Sequence, residues 1–252
     1  MAFSGGVDSA YLAVVAARVL GPRALAVTGD SASYPDHHRR QALQVARDFS
    51  LSHETVPTHE LERSGYRANA GDRCFHCKTE LYATLTAMAA ARGFAAVADG
   101  SNADDRGDYR PGRQAARDHG VISPLDECDL GKDDIRALAR DLGMTIWDAP
   151  ASACLSSRVP HFTEVTAPVL RRIELAEDAV RALGFRVFRV RHHGDLARLE
   201  FARDEMPRAL EPAVNAAVVS SVRASGYATV EIDPRGYRQG SLNEPLLLRP
   251  IS

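Results

Sequence analysis

The sequence predicts an α/β protein, a doubly wound parallel sheet with a small C-terminal α+β domain. Three observations predict it. Short apolar runs alternate with helical patterns through the first half of the chain. A Gly-rich turn, within FSGGVDSA at 3–10, joins the first apolar run to the first helical pattern. After Pro150 the alternation stops, and a long helical pattern is followed by two strand-like runs around His-Gly-Asp.

The elements follow in order. Residues 10–20 read as a helix, with Tyr11, Val14, Val15 and Val19 on a broad apolar face. GPRALAVTGD reads as a turn and a strand with a buried run at 24–28. Residues 36–49 are helical through Ala42, Leu43, Val45, Ala46 and Phe49, and SHETVP is a strand. Residues 79–92 form an Ala-rich helix with Leu81, Leu85 and Met88 at helical spacing, stopped by Gly93. FAAVADGSN is a strand and loop, and 133–142 is a helix. In the second half, 164–183 and 205–225 read as helical, FRVFRVRHHGDLARLEFA as two alternating strands, and YATVEID as a last strand. The expected organisation is therefore a main domain over 1–150, a loop over 151–163 that carries Cys154, and a small domain over 164–252. No internal repeat or low-complexity tract interrupts it.

Composition bounds the function. The 252 residues, 45% hydrophobic and 25% charged, are those of a globular protein. No apolar run is long enough to span a bilayer as a helix, and no secretory signal precedes the turn, so a cytoplasmic protein is expected. A net charge of −2 argues against a large nucleic-acid footprint. Four cysteines in a chain of this length do not make a disulfide framework. Only Met1, Ala2 and Phe3 precede the turn, whereas a central strand takes about five residues. The expectation is a start further upstream, with Met1 standing where a strand valine would.

The Gly-rich turn suits phosphate. A helix N-terminus offers unpaired N–H groups and a positive dipole end, and glycines let the backbone approach an anion closely. Ser4 and Ser9 add hydroxyls, and no Walker lysine is present. That disfavours γ-phosphoryl transfer and suits a grip on pyrophosphate. SGGVDS resembles the signature of the PP-loop ATP pyrophosphatases (adenine nucleotide alpha hydrolase-like), which cleave ATP to AMP and pyrophosphate. The resemblance implies that Ser4, Gly5, Gly6, Asp8 and Ser9 hold the ATP phosphates and that 27–31 flanks the adenine. Asp30 would then reach a ribose or a metal, or is an ordinary strand-end acid.

Cys74 and Cys77 form a CxxC that opens a helix, where thiolates are favoured, and Lys78 beside them is a phosphate contact candidate. A single CxxC gives only two metal ligands. Cys128 has no sequence partner. Cys154 lies in DAPASACLSSRVPHFTEVT, a Pro-bounded, Ser-rich loop, with Arg158 four residues on as a group able to lower a thiol pKa.

Further strings carry a closer resemblance. RCFHCKTELY, DGSNADDRGDYRPG, SPLDECDLGKDDIRALARDLG, WDAPASACLSSRVP, FRVRHHGDLARLE and GYRQGSLN are similar to the LarE family over essentially the whole chain. LarE proteins are ATP-dependent sacrificial sulfur transferases that make pyridinium-3,5-bisthiocarboxylic acid mononucleotide, a nickel-pincer nucleotide precursor that serves lactate racemase. The resemblance implies ATP and Mg²⁺ as cofactors, a small-molecule pyridinium mononucleotide as substrate, no nucleic acid or membrane partner, and a homohexamer. It makes Cys154 the nucleophile and sulfur donor, converted to dehydroalanine. Some relatives carry a three-cysteine iron–sulfur site instead; here that would need Cys74, Cys77 and Cys154 to converge, and the sacrificial route is favoured.

The substrate phosphate calls for basic groups. Arg189 and Arg191, two apart on a strand, share a face, and arginine grips phosphate bidentately. Arg158 is a further candidate. Gly100, Ser101 and Asn102 follow a strand end and are expected to line the nucleotide cleft, with Asp105 and Asp108 either magnesium ligands or loop acids with no ligand. Glu200 and Asp233 are candidates for the elimination base. Two rival readings remain open: a tRNA thiolase, which would usually carry a basic face, and a non-catalytic ATP-binding module, which would have no use for Cys154.

Overall fold

The computed structural model describes residues 1–107, 111–150 and 153–238. It is mixed α/β with a parallel sheet, the class the sequence predicts. The chain forms two compact units, 1–66 with 72–152 and 67–71 with 153–252.

The first unit holds α1 (Val7–Leu20), β1 (Ala26–Asp30), α2 (Asp36–Asp48), β2 (His53–Pro57), α3 (Ser64–Ala68, whose last two residues belong to the other unit), α4 (Arg73–Arg92), α5 (Pro111–Asp118), α6 (Pro124–Glu127) and α7 (Lys132–Asp141). β1 and β2 pair in parallel from Ala26 opposite His53 to Asp30 opposite Pro57. Backbone bonds carry the sheet further. Met1, Ala2 and Phe3 lie beside β1, with Phe3 N–H on the Val27 carbonyl at 2.9 Å and Ala2 N–H on Ala98 at 2.8 Å. Asp99 N–H then reaches Ile122 at 3.0 Å. The spatial order is thus β2, β1, 1–3, 97–99, 122, with β1 parallel to β2 and to 1–3, and Ala98 in a parallel bridge with Ile122. FAAVADGSN contributes only a bridge at Ala98, because its flanks turn away after one exchange of bonds.

Neighbouring strand residues serve opposite faces, as the period of two requires. Phe3 and Ala26 pack with Ala10, Val14, Val45 and Met144. Ala2 and Val27 pack with Tyr82, Leu85, Val97 and Ala115. Helix α4 starts at Arg73, six residues before the Ala-rich run, so both CxxC cysteines ride its first turn.

The second unit holds α8 (Ala167–Ala182), β3 (Phe188–His193), β4 (Leu196–Phe201), α9 (Met206–Leu210), α10 (Pro212–Ala224) and β5 (Thr229–Ile232). β3 and β4 are antiparallel, and β4 and β5 parallel. Thr166 caps α8 by accepting the Val169 N–H. The predicted 205–225 helix is two helices, because Pro212 has no N–H for the ladder and pushes Glu211 to an extended conformation. One core face joins Phe185, Phe188, Val190, Leu199, Phe201 and Val222. Alternation sends Arg189, Arg191 and Glu200 to the other face.

Candidate functional site

In the first unit the Gly-rich turn caps α1. Gly5 is left-handed at φ +70, and a Cβ there would lie 2.8 Å from Cβ of Ala42, so only glycine fits. Gly6 is the N-cap residue and makes no side-chain cap, leaving the helix start to its backbone N–H groups. Buried Ser9 accepts the Ser4 N–H at 3.2 Å and donates to the Gly6 carbonyl at 3.0 Å. Asp8 lies in the first turn. Tyr34 donates to the Ser4 carbonyl at 3.0 Å and Gln41 to the Gly5 carbonyl at 2.7 Å, fixing the turn from the β1–α2 side.

The 99–102 segment closes the other side. A Cβ on Gly100 would sit 2.8 Å from the Ser9 nitrogen, so the two backbones pass closely. Buried Asp99 accepts from Tyr82 at 2.6 Å, Ser123 at 2.8 Å and Ser101 Oγ at 2.9 Å. Burial pushes its carboxyl up, but Lys78 and these donors outweigh it and hold it below the carboxylate range. The Lys78 ammonium stands 5.2 Å over the Tyr82 ring and is held protonated, first by Tyr82 and then by Asp99, against burial. Asn102 is 1% exposed, and neither polar atom of its side chain has a protein partner among the described residues. Such a buried orphan amide needs a ligand or a water.

Asp30 ends β1 and accepts from Arg39 Nε at 3.1 Å. Glu60, unforeseen from sequence, is buried and accepts from Ser33 at 2.7 Å. Asp105 is buried, takes the Asn102 N–H at 3.4 Å and stands 3.9 Å from the Lys132 ammonium. Asp108 lies outside the described residues. No group of three His, Cys, Asp or Glu is set for a metal among the described residues. Magnesium on a nucleotide needs only one or two protein carboxylates, and Asp105 has the hard oxygen donor for that. Cys74 and Cys128 are exposed and Cys77 is half-buried.

In the second unit Cys154 is half-buried, with a free thiol, at the N-cap of a 3₁₀ turn over Leu155–Arg158. Its carbonyl accepts from Ser157 Oγ at 2.8 Å and Arg158 Nη1 at 3.0 Å. Arg158 is 2% exposed and grips Glu177 bidentately at 2.8 and 2.9 Å. The same guanidinium reaches the Ala153 carbonyl at 2.9 Å. Arg158, read from sequence as a phosphate group, is thus engaged in holding the backbone of Cys154. Glu177 went unread, although its signal was present: it is an acid on the apolar stripe Ile173, Ala176, Val180 of α8. Burial pushes its carboxyl up, but Arg158 outweighs this and brings it to about 2.

Arg191 gives Nε and Nη2 to Glu200, at 2.9 and 2.7 Å, and Nη1 to the Ser157 carbonyl at 2.7 Å. Arg189 donates to the Phe188 carbonyl at 2.7 Å and stacks 4.7 Å from the Tyr237 ring centroid. Burial, then Arg158, push its guanidinium down to about 10. Glu200 is thus ion-paired, and Arg235 holds Asp233 at about 2. Both oxygens of Asp233 accept from the Arg235 guanidinium, at 3.1 and 2.9 Å. Close by in sequence, Arg203, Arg235 and Arg238 line an open cavity of about 410 Å³ with Met206 and Pro234. No spacing in the sequence links these three.

No model of a known protein family matches the chain. Individual proteins do. The chain is 35% identical over 247 residues to pyridinium-3,5-bisthiocarboxylic acid mononucleotide synthase of Lactiplantibacillus plantarum, spanning 98% of this chain and 89% of that one. The chain belongs to the LarE family. It is also similar to the uncharacterized protein slr1717 of Synechocystis, 40% identical over 98% of this chain and 92% of its own, and to the uncharacterized protein MJ0830 of Methanocaldococcus jannaschii, 26% identical over 81% of this chain and 77% of its own. Among the described residues no helix is long and apolar enough to cross a membrane.

Proposed function

We propose that this chain is a sulfur transferase that makes a thiocarboxylate on a pyridinium mononucleotide, in nickel-pincer nucleotide synthesis, with ATP as activator and Cys154 as sulfur source. The observation that carries the reading is the 35% identity to the L. plantarum synthase across 98% of the chain. The first unit is the PP-loop ATP-pyrophosphatase domain with a doubly wound sheet, and the second is the substrate domain.

A carboxylate resists attack because oxide is its leaving group. Transfer of AMP from ATP to a substrate carboxylate gives an acyl adenylate and releases pyrophosphate. Ser4, Gly5, Gly6, Asp8 and Ser9 hold the phosphates against the α1 N-terminus, where backbone N–H groups meet the charge on the departing pyrophosphate. Magnesium, held through Asp105, neutralises part of that charge when bound. Asp30, Gly100 and Asn102 line the nucleotide, whose polar edge supplies the partner that the Asn102 amide lacks.

The Cys154 thiolate then attacks the acyl carbon, AMP leaves, and a thioester joins substrate and enzyme. Loss of the Cα proton of Cys154 to a base breaks its Cβ–S bond. The sulfur departs as the thiocarboxylate, and residue 154 is left as dehydroalanine. Arg158 keeps the backbone of 153 and 154 in place throughout. Arg189 and Arg191 supply the positive field for the substrate phosphate, and the cavity of Arg203, Arg235 and Arg238 is large enough to accept part of a nucleotide.

The test is the intact mass of the protein after incubation with ATP, Mg²⁺ and the pyridinium biscarboxylate mononucleotide. The expected result is loss of the mass of H₂S, mapped to residue 154, in step with one thiocarboxylate per chain. Cys154→Ser should give neither change. Thiolated product with an unchanged protein mass would instead point to an external sulfur source.

A further inference from the structure

The thiol loop is anchored by a residue from the other end of the sequence. Five residues, 67–71, leave the first half of the chain and pack with the second unit. Among them Asn69 is fully buried and left-handed, at φ 54. Its Nδ2 donates to three carbonyls of one loop: Pro160 at 2.8 Å, Thr163 at 3.2 Å and Val159 at 3.3 Å. Its own carbonyl accepts the Phe162 N–H at 2.9 Å. A loop has no ladder of its own, so a single amide that collects three of its carbonyls fixes its path.

Cys154 is the residue that this path serves. The 3₁₀ turn over Leu155–Arg158 lies between Cys154 and Val159, closed by Ser157 N–H on the Cys154 carbonyl at 3.0 Å and Val159 N–H on Ser156 at 3.1 Å. Such a turn is short and stiff. Arg158 and Arg191 hold its middle through the carbonyls of 153, 154 and 157. The downstream end is held at 159, 160 and 163 by Asn69. Without that amide the downstream end keeps the backbone bonds of Phe162 N–H to Asn69 and Val165 N–H to Arg67, both at 2.9 Å, and the turn gains freedom to pivot about Arg158 and carry the thiol with it. We infer that Asn69 is a positioning residue for the Cys154 thiol, acting through the amide donor it gives to the Val159, Pro160 and Thr163 carbonyls. The inference rests on the sulfur-transfer reading for its consequence in turnover, but not for the position of the thiol itself.

Two substitutions keep the left-handed backbone. Asn69→Gly removes the amide; Asn69→Asp replaces the donor with an oxygen facing three carbonyls. Both spare the Cβ strain that alanine would meet there. The first measurement is iodoacetamide alkylation of Cys154, quantified by peptide mass across pH 5–9, beside the wild type. The expectation is a rate profile displaced by ~10-fold in Asn69→Gly, because alkylation follows the thiolate fraction and access of the thiol, and both change as it leaves its present setting. In Asn69→Asp the ratio to wild type should return toward one as pH falls, because the protonated carboxyl again offers a donor. Urea midpoints of Asn69→Asp at the same pH values separate the two roles, since a displaced thiol changes its alkylation rate under conditions where the chain stays fully folded. The second measurement is single-turnover sulfur loss, expected to slow ~10-fold or more with the KM for ATP within about twofold. Alkylation profiles of Asn69→Gly that superimpose on wild type overturn the inference, and Asn69→Gly decides the matter even where Asn69→Asp fails to fold. Displaced profiles with no sulfur loss from the wild type would leave Asn69 as a positioning residue and remove the sulfur-transfer reading instead.

Discussion

Glu177 and Arg158 form a pair, 2% and 3% exposed at the side chain, whose worth depends on both members being present. Removing one partner leaves a buried, uncompensated charge, at a cost of about 3–5 kcal/mol. Glu177→Ala should therefore lower the urea midpoint sharply. Arg158→Met with Glu177→Leu should recover much of that loss, since an apolar pair of similar volume avoids desolvating two charges. Sulfur transfer should not recover, because no group is left on the Ala153 and Cys154 carbonyls. A double variant that regains stability and activity together would show that the pair only packs. The acid response follows from the same geometry. Glu177 sits at about 2 against an ordinary 4.5, and Asp233 at about 2 against 3.8. A carboxyl held lower in the folded chain stabilises it fully above its ordinary value. That contribution fades as pH falls from about 4.5 toward about 2, and urea unfolding at pH 6, 4 and 3 should trace the loss. At this scale the sequence puts Arg158 four residues from Cys154, and the structure brings its guanidinium onto the Cys154 carbonyl. The tasks of Arg158 and Arg191 were not legible, because spacing gives a face and not a partner.

At the scale of elements, the Gly-rich turn works through what it lacks. Gly5→Ala puts a Cβ 2.8 Å from Ala42 in a left-handed backbone, a strain of roughly 1–3 kcal/mol. Gly100→Ala pushes against the Ser9 nitrogen at 2.8 Å. Both should abolish pyrophosphate release while Cys154 keeps its alkylation rate; an active Gly100→Ala would mean that the 99–102 segment does not border the nucleotide. The arginines after β4 and β5 admit a parallel test. With the phosphate at Arg189 and Arg191, Arg203→Ala should weaken the phosphorylated pyridinium ligand and its nucleoside form alike, measured by calorimetry. A loss of about 10-fold confined to the phosphorylated form would move the phosphate to the cavity, since a charge-assisted hydrogen bond contributes roughly 1.5–3 kcal/mol. Helices α1, α2, α4 and α7 and strands β1 to β5 were readable because each is long or strongly periodic. Short α3, α5 and α6, of 5, 8 and 4 residues, were not, because little more than two turns gives no resolvable period. Pro212, which splits the 205–225 run, was in plain view.

The chain combines a parallel sheet with helices in one unit and a three-stranded mixed sheet in the other, and each unit has buried clusters of its own. The α/β class was legible because alternation of apolar runs survives any detail of packing. The crossing of 67–71 into the second unit was not, since nothing local marks five residues as belonging elsewhere. That division fixes where a nucleotide should be felt. Binding free energy protects first the segments a ligand touches, because local opening, not global unfolding, governs most amide exchange. An ATP analogue with a methylene between the α- and β-phosphorus atoms cannot release pyrophosphate and so holds the complex still. At 100 times its Kd it stabilises the bound form by about 2.7 kcal/mol, slowing exchange about 100-fold in segments that open only when it leaves. Hydrogen-exchange mass spectrometry should find that protection in 4–9, 31–34 and 99–102 and none in 188–201. Protection in 188–201 alone would assign the nucleotide phosphates to Arg189 and Arg191, leaving the α1 N-terminus a plain strand-to-helix turn and the adenylation step without a site.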